Sequence, residues 1–381
     1  MRKQVSTFLC TAISLTSALG LSTLEPASGT IVAQTEMRTK AHPGEPSPHT
    51  VRIASLDASL IWAATRSNPD FQTQTGDPTF ELKVLTFNLY LLPLDAPSIS
   101  LRAEMLSRAP FVRGFDVILF QELFDNKVAD RFLKNMKQWY PYQSPIGARL
   151  GTRISSDCNS NDCWNLSDTT STGAPNLFQD SGVAIVSKWP IETRIYQTFI
   201  ENCGWTDWAA RGFAYVVIKW RDRNVHLVSA HLAPQDKACV VENDKTTRAK
   251  QLRQIRTFLK SRRIPKSDVV IVGGDMNIHS GSAEYDRMIE ILKAVPPINS
   301  GHLFTYDEIE NPLANHSAKI ENARKRYDYV FLLQEHAGPR NWVNHAIRRR
   351  IIPFMPDYSD HYPVLGYHSG TTYTPPSDNV P

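Results

Sequence analysis

The chain has 381 residues, 41% of them hydrophobic and 21% charged, which is ordinary globular composition and enough for one large domain or two small ones. Its formal charge of +4 is thinly spread over 42 basic and 38 acidic residues, so the composition does not argue for a dedicated nucleic-acid binder. Beyond the N-terminus, no segment is long and apolar enough to read as a membrane span.

The N-terminus reads as a targeting segment. Arg2 and Lys3 give a short positive region, and "TFLCTAISLTSALGL", Thr7 to Leu21, is apolar, small and uncharged. Ala27 or Ala33 can precede a cleavage site, so residues 1–33 are read as a cleaved signal peptide, with an N-terminal anchor helix as the alternative. Leu9 before Cys10 argues against a lipoprotein attachment site. Residues 34–80 form a linker and extension: "AHPGEPSPHT" is Pro-, Gly- and small-polar-rich, and 51–80 is either an added hairpin or a lead-in. The tail from 369 to 381, "SGTTYTPPSDNVP", reads as mobile.

In an exported chain the four cysteines Cys158, Cys163, Cys203 and Cys239 suggest two disulfides, with three possible pairings. Zinc is the alternative, and the separations match no common ligand spacing.

Between residues 81 and 368, β-branched and aromatic runs recur: "KVLTFNLY", "DVILFQEL", "GVAIVSK", "GFAYVVIKW", "VHLVSAHL", "VVIVGGDMN", "YDYVFLL" and "YPVLGYH". Two stretches have helical period instead. Val128, Phe132, Met136 and Trp139 share one face, and Leu252, Ile255, Phe258 and Leu259 another. The balance predicts a two-sheet sandwich with helices on its outer faces.

Several of these apolar runs end in chemistry. "VLTFN" ends at Asn88, "VILFQE" at Glu122, "HLVSAH" at His231 and "VVIVGGD" at Asp275, with Asn277 just beyond. Asp328 opens "DYVF", and Asp360 and His361 precede the last run. A buried carboxylate costs several kcal/mol unless paired or metal-bound, about the scale expected for an ion taken out of water. Gathered on one edge, such an inventory suits a hard divalent cation acting on a phosphate. No H-E-x-x-H zinc motif and no G-x-S-x-G nucleophile elbow is present.

The ordered set "TFNLY", "FQELFD", "DSGVAIVSKWPI", "SAHLAPQD", "GGDMN", "RYDYVF" and "SDHYPV" resembles the endonuclease/exonuclease/phosphatase superfamily. Within it, the set is most similar to the secreted bacterial neutral sphingomyelinases. The resemblance covers residues 81–368, read as the catalytic domain. It implies an α+β fold, a four-layer α/β/β/α sandwich of two mixed sheets. It also implies a secreted sphingomyelin phosphodiesterase that uses Mg²⁺, or Mn²⁺ or Co²⁺ in its place. Glu122 is the implied main metal ligand, with Asn88 beside it and Asp360 near the metal. His361 is the implied general base, oriented by Asp328. His231 would donate to a phosphate oxygen or the leaving group, and Asp275 and Asn277 would position water and phosphate. The loops "ENCGW" and "KACV" look like the family's disulfide-bearing loops, which favours pairing Cys203 with Cys239, and leaves Cys158 with Cys163.

The match also has departures. A second metal would use Asn126 and Asp180, yet Gln179 stands where a further acid is expected. The region before "SDH" looks shorter and more basic than the family's hairpin. Candidate membrane contacts are Trp205 and Trp208 in one loop and Ile351, Ile352 and Phe354 in another. The implied partner is membrane sphingomyelin, approached by a monomer with no stable nucleic-acid partner. The competing expectations are an extracellular nuclease or other phosphoesterase on the same scaffold, and an inactive membrane-binding protein.

Overall fold

In the computed structural model the described residues are 79–93, 95–168, 179–203, 209–236, 239, 244–317, 322–348 and 357–370. They fall within one unit, Ala58–Pro381; a second, Met1–Asp57, lies wholly outside the described residues. The expected signal segment and linker, the tail beyond residue 370, and Trp205, Trp208, Ile351, Ile352 and Phe354 are likewise outside them. Among the described residues no helix is long and apolar enough to cross a membrane.

The chain runs β1 (Val84–Asn88), α1 (Ile99–Arg108), β2 (Val117–Gln121), α2 (Asn126–Met136), β3 (Ala184–Ser187), β4 (Ile191–Thr198), β5 (Gly212–Trp220) and β6 (Arg223–His231). It continues with α3 (Asp244–Ser261), β7 (Val269–Asp275), α4 (Ala283–Leu292), β8 (Asp328–Leu332), β9 (Trp342–Ala346) and β10 (Val364–His368). One 7-stranded sheet has the order Ile298–Gly301, β9, β10, β1, β2, β3, Tyr142–Gln143. A 6-stranded sheet has the order β8, β7, β6, β5, β4, Leu166–Asp168. Both mix parallel and antiparallel neighbours.

The two-residue side-chain period of a strand sorts the core into three apolar layers. Leu85, Phe87, Ile118 and Phe120 face outward onto Leu106 of α1 and Phe132 and Met136 of α2. Their neighbours Val84, Val117 and Leu119 face inward and meet Val216, Leu227, Ile271 and Val330 of the other sheet. Val228, Val270 and Val272 face outward onto Leu252 and Ile255 of α3 and Met288 and Leu292 of α4. This is the four-layer α/β/β/α sandwich. Each such side chain taken fully out of water contributes about 1.5–3 kcal/mol.

Along the inner face the chemistry changes from one rim to the other. β1 steps through Val84, Thr86 and Asn88; β6 through Leu227, Ser229 and His231; β7 through Ile271, Gly273 and Asp275. The middle layer is a polar floor: Thr86 Oγ1 donates to Gln121 Oε1 at 3.2 Å, and Gln121 Nε2 donates to Ser229 Oγ at 3.0 Å. Gly273 admits no side chain, because a Cβ there would lie 2.8 Å from Leu119 Cδ1 and 2.9 Å from the Tyr329 carbonyl oxygen. β1 runs parallel to β2, and β6 parallel to β7, so their carboxyl ends share a rim within each sheet. β8 and β10 are antiparallel to their neighbours, which brings their amino ends, at Asp328 and just after His361, to the same side.

The candidate active site

At that rim each polar residue is placed by its strand and fixed by its neighbour. Asn88 sits opposite Gln121 at the end of the β1/β2 ladder, and Glu122 leaves the ladder with φ 57°. A non-glycine residue in the left-handed region carries strain that the surroundings must hold. Here the hydrogen bonds from Leu89 N to Gln121 O and from Leu91 N to Glu122 O, both 3.0 Å, do so. Asn88 Nδ2 donates to Glu122 Oε1 and to Asp275 Oδ2, each at 3.1 Å, so one amide joins the two sheets. Asn277, also left-handed at φ 51°, donates its backbone N–H to Asp275 Oδ1 at 2.9 Å and its amide to Leu232 O at 3.1 Å.

Asp275 is central. Its Oδ2 lies 3.7 Å from the Nε2 atoms of both His231 and His361. On the far side of His361, Nδ1 is 2.8 Å from Asp328 Oδ2. An ionised carboxylate only accepts, so the imidazole proton is on Nδ1 in the neutral ring, and Nε2 faces the open rim as an acceptor. The rings of Tyr306 and Tyr327 lie 5.3 and 6.5 Å from that of His361.

The electrostatics mark a site with unmatched negative charge. Burial, followed by the Asp360 carboxylate, pushes Glu122 up to about 7. Burial pushes Asp275 up to about 6, and raises Asp360 as well. Burial alone would depress His361, but Asp328 and Asp275 outweigh it and hold the imidazole well above its usual value. Buried carboxylates held up in this way call for a cation, and a set of two carboxylates and an amide oxygen offers the hard donors that Mg²⁺ takes. Glu122, Asn88 and Asp360 are thus the residues that could hold a divalent metal, although the Asn88 amide oxygen already accepts from Tyr90 N at 3.1 Å. The tightest acid–imidazole grouping at the rim is a different one, Asp275, Asp328 and His361, whose ligand atoms lie within 4.8 Å of one another. Asp328 Oδ2 and His361 Nδ1 already pair there, while the buried Asp328 Oδ1 has no hydrogen-bond partner among the described residues.

Two arginines of the site were not singled out from the sequence. Arg211 at the start of β5 is 2.9 Å from His231 Nε2 and donates to Leu232 O at 3.2 Å. A guanidinium cannot accept, so His231 Nε2 accepts here and the ring proton sits on the buried Nδ1. Burial, then Arg211, holds the His231 pKa well down, so this imidazole is neutral. The donor facing the rim is thus Arg211; His231 becomes a donor there only if Arg211 turns away and its ring proton moves to Nε2. Arg102 of α1, only 1% exposed, donates to the carbonyls of Leu89, Tyr90, Pro97 and Tyr358 and ties the loop after Asn88 to the chain just before Asp360. The "ARGF" run before a strand signals Arg211 only weakly. Nothing local marks Arg102.

At the proposed second-metal edge, Asn126 is exposed at the start of α2, and Asp180 Oδ2 accepts from Arg149 Nε at 2.9 Å. Gln179 donates instead to Phe124 O at 2.7 Å. The disulfides are Cys158–Cys163 and Cys203–Cys239.

A sandwich carrying acids, amides and imidazoles along one open rim defines a class of hydrolases. The chain belongs to the Endonuclease/Exonuclease/phosphatase family, whose profile matches residues 85–369. Among curated relatives it is similar to a sphingomyelinase C of Bacillus cereus, 31% identical over 82% of this chain and 96% of the relative. A phospholipase C of Staphylococcus aureus is 30% identical over 83% and 95%. Among solved structures, a Staphylococcus aureus beta toxin mutant with bound magnesium ions matches with TM-score 0.69 at 30% identity, over 76% of this chain and all (100%) of that one. Sphingomyelinase C from Streptomyces griseocarneus matches with TM-score 0.69 at 32% identity, over 76% and 99%.

Proposed function

We propose that the protein is a secreted, Mg²⁺-dependent sphingomyelin phosphodiesterase that releases ceramide and phosphocholine. The observation that carries this reading is the His361–Asp328 pair at 2.8 Å, with His361 Nε2 3.7 Å from Asp275 Oδ2, which Asn88 ties to Glu122. Near-full-length similarity to enzymes named for sphingomyelin selects the substrate among the phosphodiesters this fold can serve. The N-terminal leader read from the sequence supports secretion.

Neutral His361 takes a proton at Nε2 from the attacking water, while Asp328 holds Nδ1 and stabilises the imidazolium formed. Asp275 orients that water, since its Oδ2 is equidistant from both imidazoles. The new P–O bond forms opposite the ceramide oxygen, which leaves as its P–O bond breaks and takes a proton from solvent, while His361 returns the proton it took to solvent. Arg211 and the Asn277 amide present N–H donors to the negative charge that grows on phosphate. Glu122 and Asn88, with Asp360, are the residues that would hold Mg²⁺, which would supply Lewis-acid charge toward the phosphate.

The test compares purified protein on sphingomyelin vesicles, phosphatidylcholine vesicles and plasmid DNA, with Mg²⁺ or with chelator. Phosphocholine release from sphingomyelin only with Mg²⁺ is the expected result. Preferential cleavage of DNA would replace the reading with a nuclease.

A further inference from the structure

Arg149 lies outside every motif in the sequence, and its side chain is mostly buried, 18% exposed. Through Nε it holds Asp180 Oδ2 at 2.9 Å, and through Nη1 it pairs with Asp130 at the surface. Asp180 is itself only 5% exposed, and its other oxygen accepts from Gly182 N at 3.1 Å. Arg149 is the only arginine or lysine in hydrogen-bonding contact with Asp180 among the described residues.

The segment Asp180 belongs to is stitched on two sides to the active site. Toward β2, Leu123 N donates to Gly182 O at 2.9 Å and Gln179 Nε2 donates to Phe124 O at 2.7 Å. These bonds hold the two residues that follow Glu122. Gly182 fits so closely that a Cβ would lie 3.0 Å from Glu122 Cα and 2.9 Å from Leu123 N, and its φ is +64°. Toward β5, Ala210 N donates to Gln179 O at 3.0 Å, one residue before Arg211. Glu122 keeps a strained left-handed backbone, so its carboxylate points correctly only while these neighbours hold it.

We infer that Arg149 is a positioning residue: its guanidinium is a fixed internal cation that clamps the 179–182 segment through Asp180, and that segment sets the backbone carrying Glu122. The role rests on the reading of Glu122 as a metal ligand. Arg149 touches neither metal nor substrate. Without it, buried Asp180 would keep a charge with no cation, and the 179–182 segment would shift to hydrate it.

The experiment measures Mn²⁺ binding without substrate, by electron paramagnetic resonance, on the full protein and on Arg149→Ala, Arg149→Lys, Asp180→Asn and Glu122→Gln. Mg²⁺ titrations of sphingomyelin hydrolysis run in parallel. Groups that orient a ligand from behind typically change metal affinity by about 10–100-fold, and a loss in that range is expected for Arg149→Ala. The Mg²⁺ needed for half-maximal rate should rise by the same factor, while kcat at saturating Mg²⁺ stays within a few-fold. Arg149→Lys should recover most of the affinity, because an ammonium still reaches Asp180 as a point charge. A merely structural role would lower the melting temperature and leave Mn²⁺ affinity unchanged. That result, or a loss of kcat with no change in metal affinity, overturns the inference. If Arg149→Ala does not fold, Asp180→Asn reads the same clamp from its other half and must show the same shift. Unchanged Mn²⁺ affinity in Glu122→Gln would remove the metal-ligand reading itself, an outcome separate from failure of the clamp.

Discussion

Two acid–imidazole clusters in this chain have nearly the same composition and opposite electrostatics. Asp275, Asp328 and His361 form one; His302, Asp307 and Glu310 form the other, and in each the ligand atoms lie within 4.8 Å of one another. In the second, Arg324 donates to Asp307 Oδ2 at 3.1 and 2.7 Å and to Glu310 Oε1 at 2.9 Å, and Arg348 pairs with the other Glu310 oxygen. Burial would raise Asp307, but hydrogen bonds from Arg324 and His302 bring it below its ordinary value. In the first cluster no arginine hydrogen-bonds Asp275 or Asp328 among the described residues, and burial pushes Asp275 up to about 6. Composition does not distinguish a structural knot from a working site. What distinguishes them is whether the protein supplies its own counter-charge or leaves that to a cation and a substrate. Asp180 with Arg149 belongs with the structural kind, set beside the working kind.

The sharpest break in the comparison removes the uncompensated groups. Glu122→Gln keeps volume and loses the charge that would hold a hard cation, so hydrolysis should fall to background at saturating Mg²⁺. The metal-free variant should melt no lower than the parent, because a buried carboxylate with unmatched charge has become an amide. Activity that persists, or a large fall in melting temperature, would contradict the role given to Glu122. His361→Ala should lose about 10²–10⁴-fold in kcat, the usual scale of general-base catalysis.

Asp328→Asn tests the pair more finely. Removing the carboxylate takes away the largest influence raising the His361 pKa, so the acid limb of the pH–rate profile should move to lower pH. The maximal rate should drop at the same time, because an Asn oxygen holds the imidazole less firmly. A lower rate with an unmoved limb would mean that His361 does not set the profile.

The polar ends of the β strands were legible because they interrupt strong apolar runs, and a period of two puts every second residue on one face. Asn88, His231 and Asp275 needed nothing more; Glu122 follows the inward-facing Gln121 and reaches the rim only because its backbone leaves the ladder at φ 57°, which the period does not show. Arg102, Arg149 and Arg211 were not legible, because each acts on backbone or side chains far away in sequence. Arg102, for example, donates to Tyr358 O across 256 positions. β9 was missed for a related reason. "WVNHA" has no strand-like hydropathy, yet Asn344 is fully buried, accepting from Val330 N at 2.9 Å and donating to Val330 O at 2.8 Å across the two sheets. β4, "IETRIYQT", buries Arg194 behind bonds to the carbonyls of Gln143 and Ile191, which hides its alternation. α1 is disguised likewise, by burying Arg102.

On the compensated side, Asp307→Asn should leave hydrolysis nearly unchanged and lower stability. The substitution takes away the charge that Arg324 and His302 hydrogen-bond at a buried position, while Arg324 itself keeps access to solvent, so the melting temperature should fall modestly. Thermal unfolding and initial rates measured on the same preparation check this. A rate loss larger than the stability loss explains would make the second cluster part of the machinery.

The smallest effect is in the metal-free protein and depends on the sign of its carboxyl shifts. Glu122 rises from 4.5 to about 7 and Asp275 from 3.8 to about 6, both first through burial. Between the ordinary carboxyl range and neutrality the folded protein therefore keeps protons that the unfolded chain has released. Stability falls with pH wherever the native state binds more protons. So the melting temperature without metal should decline as pH rises from about 4 to about 7, and these two groups should contribute no further loss above that. A bound divalent cation takes the place of those protons. The rise in melting temperature on adding Mg²⁺ should therefore be larger at about pH 8 than at about pH 5, where protons compete for the same oxygens. His361 works in the same sense but starting from the imidazole range, since its raised value contributes stability at low pH that is lost as pH rises through its folded-state titration. Glu122→Gln separates the two, because it removes one carboxyl contribution and leaves the imidazole with its partners. In that variant the Mg²⁺-dependent rise should vanish at every pH. A rise that survives in Glu122→Gln would place the cation on the Asp275, Asp328 and His361 cluster instead.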